Sequence, residues 1–263
     1  LVSVVIPAFN AGPTIARTLQ SVLEQTHANL EVLVVDDGST DDTVDIAKTF
    51  ADKDARIRLI QKPNVDVASA RNRGLQEARG AYVAPLDADD IWQPENLSRQ
   101  VAALERAGPS VAFSFANSFV IDELDRRRRR PGPLRARPSD YISLLRRNWV
   151  GNGSAAVFRR EALIAIGGYD ETLRARDAQG AEDWKVVLML AARHAGLSLA
   201  DELIGYRQLA NSMSGDPTTM TRSTMIVIDE MRRLGPRIAP WHVWHARSTI
   251  HIYMFYPWIY AGR

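Results

Sequence analysis

Along the first third of the chain, short continuous apolar runs alternate with runs whose apolar residues fall three and four apart, the marks of buried strands and amphipathic helices. Val2-Ser3-Val4-Val5-Ile6 is a β-branched run closed by Pro7, and Ile15, Leu19, Val22 and Leu23 follow at helical spacing. Residues 30–35 form a second strand-like run, ended by Asp36-Asp37-Gly38-Ser39-Thr40-Asp41-Asp42. There, Thr40 or Asp41 is placed to cap a helix whose apolar face carries Val44, Ala47 and Phe50. Residues 56–60 read as a third strand, 67–78 as a third helix and 81–86 as a fourth strand. This alternation predicts an α/β, Rossmann-like, doubly wound and mostly parallel sheet, with ligands beyond the carboxyl ends of its strands. Asp36-Asp37 and the trio Asp87, Asp89 and Asp90 fall at two such ends, so they are expected to face one crevice.

The second half is less regular. Residues 111–120 and 155–158 suggest strands, 139–147 a short helix, and 182–194 a helix with Trp184, Val187, Leu188 and Ala191 on one face. No internal repeat is present. Nine arginines lie between Arg126 and Arg147 with Asp140 the single acid among them, and the prolines of residues 126–138 predict a mobile loop. Such a run is either a solvated charged loop or a patch for an anionic acceptor, a lipid diphosphate or an acidic membrane surface. In the tail, Trp241, Trp244, Ile252, Phe255, Tyr256 and Ile259 recur at near-helical spacing. They are read as core packing or a dimer contact, with an interfacial helix against a membrane as the other reading.

At 263 residues, 46% hydrophobic and 24% charged, the chain has the balance of an ordinary globular enzyme, with room for one large domain or two small ones. A net charge of +2 lacks the strong basic bias of a general nucleic-acid binder. The absence of cysteine excludes disulfides, thiolate nucleophiles and thiolate metal sites, and fits a reducing, cytoplasmic compartment. No apolar stretch reaches the ~18 residues of a membrane span, and no signal-peptide pattern opens the sequence.

Pro85-Leu86-Asp87-Ala88-Asp89-Asp90-Ile91-Trp92 crowds three carboxylates behind a strand. They repel one another unless a cation or a donor array lies between them, and aspartates at i and i+2 can both reach a divalent ion where the chain bends. Mg²⁺ or Mn²⁺ held this way keeps oxygen ligands from phosphates, which suits a diphosphate. The alternative is that Asp89 or Asp90 caps a helix beginning near Pro94. On a helical wheel Arg71 lies within the face formed by Val67, Ala70, Gly74, Leu75 and Ala78, whereas Arg73 and Arg79 point elsewhere. A cation there needs an anion, either Asp37 or Asp87 in a salt bridge or a nucleotide's phosphate. Asp36, Gly38 and Ser39 suit a turn in any reading.

Five motifs occur in order: Pro7-Ala8-Phe9-Asn10 after a strand, Asp36-Asp37-Gly38-Ser39, Ala70-Arg71-Asn72-Arg73-Gly74 on a helix, Leu86-Asp87-Ala88-Asp89-Asp90, and Glu182-Asp183-Trp184 opening a helix. Their combination, over residues 2–207, resembles the successive signatures of family 2 glycosyltransferases of the GT-A fold. The resemblance implies that Asp37, with Pro7, Ala8 and Asn10, holds the base and ribose of a nucleotide-sugar, and that Arg71 serves the nucleotide. It implies Asp89 as direct ligand of Mn²⁺ or Mg²⁺, Asp87 beside the ribose or the ion, and Asp90 in a supporting or capping role. Asp183 is implied as the base that deprotonates the acceptor hydroxyl, with Glu182 its neighbour. Without the resemblance, two acids in a first helical turn need no function, since they suit the helix dipole anyway. Gly167-Gly168-Tyr169-Asp170 resembles the family's turn near acceptor and donor sugar, so Gly168, Tyr169 and Trp184 are assigned to the acceptor. Tyr206-Arg207 and the Ser/Asn-rich residues 211–216 resemble a segment that closes over the nucleotide. Residues 208–215 lack the histidine that many relatives carry there, which leaves Arg207 as its substitute.

The activity so implied is inverting, metal-dependent transfer of a sugar from a nucleoside diphosphate-sugar, a UDP-sugar favoured, to a hydroxyl of a surface glycan or lipid-linked saccharide. The setting is the cytoplasm, including the cytoplasmic face of a membrane, with no nucleic-acid partner. The expected division is a nucleotide-sugar-binding half, residues 1–122; an acceptor-binding and catalytic-base half of the same domain, 123–215; and a helical, aromatic-rich extension, 216–263. Two other classes stay open, a nucleotide-binding scaffold that has lost catalysis and a sugar nucleotidyltransferase. Against the latter, no glycine- and lysine-rich activation loop stands near the first strand.

Overall fold

The computed structural model describes residues 1–128, 134–208 and 216–260, with side chains described as far as Ile250. β1 (Val2–Ala8) and β2 (Leu30–Asp36) are buried at every position. A strand covered on both faces needs this, and it is why their sequences read as continuous apolar runs instead of alternations. α1 (Ile15–Leu23) sends Ile15, Leu19 and Val22 into the core. α2 (Thr43–Ala51), β3 (Ile57–Gln61), α3 (Val67–Glu77) and β4 (Tyr82–Pro85) continue the expected alternation. The cap of α2 differs: Asp42 holds the N-cap position. Asp41 instead accepts from the Thr43 amide at 3.1 Å and the Gly12 amide at 3.0 Å, which ties the loop after β1 to the start of α2.

Beyond β4 come β5 (Ile91–Trp92), α4 (Asn96–Ala107), β6 (Val111–Ile121), α5 (Tyr141–Arg146), β7 (Ala156–Arg159), α6 (Arg160–Ala165), α7 (Glu182–Ala191), β8 (Ala195–Arg207), α8 (Pro217–Leu234) and α9 (Pro240–Tyr260). The strands form one eight-stranded sheet in the order β3-β2-β1-β4-β7-β6-β8-β5. β1 to β4 are parallel to one another, as are β6 and β8; β7 and β5 run antiparallel to their neighbours.

Three expectations are corrected. α4 begins at Asn96, and neither Asp89 nor Asp90 caps it. The helix expected over 182–194 stops at Ala191, and β8 follows as a strand that the sequence reading did not contain. Most positions of β8 are only partly buried, it carries Asp201 and Glu202, and its partner β6 lies far back in the chain, so no local pattern announces it. In the tail, α9 turns Val243, Ala246 and Ile250 to the core, while Trp241 and Trp244 are exposed. Ile252, Phe255, Tyr256 and Ile259 lie outside the described side chains.

The sheet positions the site through one close approach. A Cβ on Gly74 of α3 would lie 2.3 Å from Val5 Cγ1 of β1, so only glycine lets the helix lie this close. Arg71 and Asn72, less than a turn earlier, are thereby held at the carboxyl end of the sheet. Ala8 is level with Asp36 across β1 and β2, so both acidic loops follow strands that end on the same side.

Candidate active site

The first part of the site is the seam between β1 and β2. Asp37 donates its amide to Ala8 O at 2.8 Å. Its buried carboxylate pairs with Lys62 and accepts the Val65 amide at 3.0 Å. Lys62 follows β3 directly and was not singled out by the sequence, where it is one lysine in a polar loop. Pro7 is buried within β1, and Asn10 adopts φ +48°, a left-handed conformation that asparagine tolerates better than most residues. Asn10 accepts from the Thr40 amide at 2.9 Å and donates its own amide to Ser39 Oγ at 2.9 Å, bracing the two loops against each other. Between Ala8 and Asn10, Phe9 stands 53% exposed.

Arg71 joins the two halves. It is 4% exposed and its guanidinium spans Asp87 Oδ1 at 2.6 Å and Glu182 Oε1 at 2.9 Å, with the Tyr169 ring 5.4 Å away. Burial works against the charge, but the two carboxylates outweigh it and hold the guanidinium above its ordinary pKa. Of the two salt bridges weighed from sequence, Asp87 forms one and Asp37 does not. Gly153 makes room for the pair: a Cβ there would lie 2.6 Å from Arg71 Nη2 and 3.1 Å from Asp87 Oδ2. Gly153→Ala is therefore expected to push Arg71 off Asp87 and to destabilise the fold by about 1–3 kcal/mol, read by urea denaturation.

The carboxylates beyond β4 have separate surroundings. Asp90 is fully buried and accepts from Ser154 Oγ at 2.6 Å and the Arg207 amide at 2.9 Å; burial, then Asp89 and Asp87, push its pKa well up. Ser154 Oγ also accepts the Asp87 amide at 3.0 Å, and Ser154 O accepts the Trp92 indole at 2.9 Å, so one serine fixes the whole turn. Arg207 is 1% exposed. Its guanidinium donates to Asp89 O at 2.6 Å and Asp122 O at 2.7 Å and pairs with Asp125. The nucleotide contact expected of Arg207 is thus corrected: its donors are spent on holding the acidic turn from behind. Asp89 differs from all of these. Its half-buried carboxylate has no cation partner among the described residues, and burial followed by the Asp87 charge pushes its pKa up to about 6. A divalent cation would relieve that crowding, so Asp89 and Asp87 fit one as protein ligands. Among the described residues no group of three or more His, Cys, Asp or Glu side chains could hold an ion alone, which leaves the remaining positions to phosphate oxygens or water.

The last part opens α7. Glu182 is committed to Arg71 and to the Gly180 amide at 2.9 Å. Asp183, half-buried, accepts from the Trp184 amide at 2.6 Å; burial, then Glu182, push it up to about 7. It lines a pocket with Asn148, Val150, Gly153, Tyr169 and Trp184. Tyr169 and Trp184 are nearly buried there, and the Trp184 indole donates to Leu144 O at 3.0 Å. Gly168 adopts φ +72°, and a Cβ would lie 2.5 Å from Asn72 Oδ1. Asn72 can therefore clasp the turn, donating to Tyr169 O at 2.9 Å and accepting the Tyr169 amide at 2.8 Å. Next along, Asp170 pairs with Lys185 at 2.5 Å, which also meets Glu230 of α8 at 2.6 Å. Residues 209–215, most of the segment expected to close over the nucleotide, lie outside the described residues.

A model of the family described as "Glycosyl transferase family 2" matches residues 3–167, more than half of the chain. The chain belongs to glycosyl transferase family 2. Family membership makes it a glycosyltransferase. It is 32% identical over 257 residues, 95% of this chain and 96% of the relative, to the putative teichuronic acid biosynthesis glycosyltransferase TuaG of Bacillus subtilis. It is 41% identical over 121 residues, 46% of this chain and 47% of the relative, to the UDP-Glc:alpha-D-GlcNAc-diphosphoundecaprenol beta-1,3-glucosyltransferase WfaP of Escherichia coli. Among solved structures, TarS 1–349 of S. aureus in complex with UDP-GlcNAc aligns with TM-score 0.73 at 19% identity, over 97% of this chain and 72% of that one. Mannosyltransferase PcManGT of Pyrobaculum calidifontis, in complex with GDP-Man and Mn2+, aligns with TM-score 0.72 at 23% identity, over 97% of this chain and 71% of that one. At such identities the two structures establish the GT-A fold. The family match ends at residue 167, before α7, so Glu182 and Asp183 rest on the geometry given above. No helix among the described residues is long and apolar enough to cross a membrane.

Proposed function

We propose that this family 2 glycosyltransferase moves a sugar from a nucleoside diphosphate-sugar, with UDP as the favoured nucleotide, to a hydroxyl of a surface glycan or lipid-linked saccharide, with inversion at the anomeric carbon. The observation that carries the reading is the division of labour at the start of α7. Glu182 is consumed by Arg71, whereas its neighbour Asp183 forms no ion pair among the described residues, is half-open to a pocket and is pushed up to about 7. A carboxylate of that pKa is suited to accept a hydroxyl proton near neutral pH. On the donor side, Asp37 is aimed by Lys62 and the Val65 amide at the seam where base and ribose would lie, and Phe9 offers an exposed ring face for the base. Asp89 and Asp87 would hold the divalent ion, Mn²⁺ or Mg²⁺, which when bound would neutralise charge growing on the diphosphate leaving group. The fold neighbour solved with Mn2+ and a nucleotide-sugar, and the relative whose name describes a lipid-linked acceptor, support this reading.

The reading is tested by incubating the protein with UDP-glucose, Mn²⁺ and a GlcNAc-diphospholipid acceptor. UDP release with a product of inverted anomeric configuration is expected. Release of pyrophosphate would instead make it a nucleotidyltransferase, and nucleotide binding without product would make it a scaffold. The pH dependence follows from Asp183, which works only as the carboxylate. Its pKa is raised to about 7, so kcat/KM should climb as pH rises through about 7 and level off above it. A flat profile from about pH 5 to 8 would remove Asp183 as the base.

A further inference from the structure

Several surface arginines among the described residues have carboxylate partners: Arg99 meets Asp201, Arg176 meets Glu230 and Arg247 meets Asp229. A group on three adjoining elements does not. Arg137, Arg146, Arg147, Arg232, Arg233 and Arg237 form no ion pair among the described residues, and all but Arg146 are exposed. Three of them lie over tryptophan rings: Arg146 is 5.4 Å from the Trp241 centroid, and Arg137 and Arg147 are 5.4 and 4.4 Å from that of Trp149. Tyr141 of α5 donates to Met231 O at 2.9 Å, which brings the last turn of α8, with Arg232 and Arg233, against α5. The same region exposes Leu234 at 67%, Trp241 at 53% and Trp244 at 71%.

We propose that the surface formed by the ends of α5 and α8 and the first turns of α9 docks on the anionic face of a lipid bilayer. A soluble phosphate ligand calls for donors converging on one point. Here the cations are spread over three elements with tryptophans between them, a distribution that matches an extended negative plane with an apolar layer beneath it. Trp149, capped by two of the arginines, sits between Asn148 and Val150, which line the pocket of Asp183. Docking therefore sets the rim of that pocket against the membrane, where an acceptor carried on a lipid would present its sugar. The surface goes beyond the transfer reaction and does not depend on which sugar is moved.

The test is co-sedimentation of the purified chain with vesicles of phosphatidylcholine alone and of phosphatidylcholine with phosphatidylglycerol, at low and high salt. Binding to the anionic vesicles that weakens with salt is expected. Arg147→Ala should lower the partition constant about fivefold and Arg237→Ala by a similar factor. Trp244→Ala should lower it by at least about tenfold through lost apolar burial. All three variants should keep wild-type thermal melting and UDP affinity, since none of these side chains is packed in the core or the crevice. No sedimentation with anionic vesicles, equal partition to phosphatidylcholine alone, or undiminished binding by the variants would each overturn the proposal. So would a concentration-dependent dimer, abolished by Trp244→Ala, in a protein that ignores vesicles, because the surface would then belong to a second copy. Vesicle binding is read without turnover, so its failure is distinguishable from failure of the transferase reading.

Discussion

Asp183→Asn is expected to lower kcat by about 10²–10⁴-fold while leaving UDP affinity within about twofold of wild type. The asparagine keeps the size and the contact with the Trp184 amide but cannot take a proton. Its neighbours make the experiment clean. Arg71 is held by Asp87 and Glu182, so removing the Asp183 charge leaves no cation stranded. Glu182→Gln is a contrasting case, because it strips one of two anions from an arginine that is 4% exposed, and a loss of stability of about 3–5 kcal/mol should accompany any loss of activity. Single-turnover kinetics with saturating donor separates the two. An Asp183→Asn enzyme with full turnover would send the search for the base elsewhere in the pocket.

Asp89→Ala carries the second large effect. Asp87 has a partner in Arg71 and Asp90 is locked by Ser154 and Arg207, whereas the Asp89 carboxylate has no ion-pair partner among the described residues. Removing it should abolish the dependence of nucleotide binding on Mn²⁺ and cut affinity in the presence of metal by at least about 100-fold, the scale of losing a direct ligand's charge. The fold should tolerate the change or gain from it, since a crowded and unbalanced carboxylate disappears. Thermal melting without metal checks the second point, and calorimetry with and without Mn²⁺ checks the first.

The parts of this molecule legible in its sequence are those written in local patterns. The two fully buried strands, the wheel position of Arg71 and the three acids behind β4 each declare themselves within a few residues. What Arg71 does is not so declared, because its second partner, Glu182, is brought in from the far half of the chain by the packing of α7. Ser154 and Gly153 are invisible for a related reason: small residues in a loop acquire meaning only when Asp87, Asp90 and Arg71 are seen to press on them. Arg207 misleads in the opposite direction, since a charge near a nucleotide motif looks like a ligand until the structure shows it buried behind the acidic turn. Its strand, β8, is set by pairing with β6 and has no periodicity of its own that would separate it from the helix before it.

In the proposed function, the crevice beyond β1, β2 and β4 binds a nucleoside diphosphate through a metal held by Asp89 and Asp87. The most direct measurement is calorimetric titration of the wild-type chain with UDP, and with GDP and dTDP for comparison, each in Mn²⁺ and in EDTA. UDP is expected to bind in Mn²⁺, EDTA to remove the binding, and the other two nucleotides to bind more weakly. Failure of every nucleotide to bind, or UDP affinity indifferent to the metal, would contradict it.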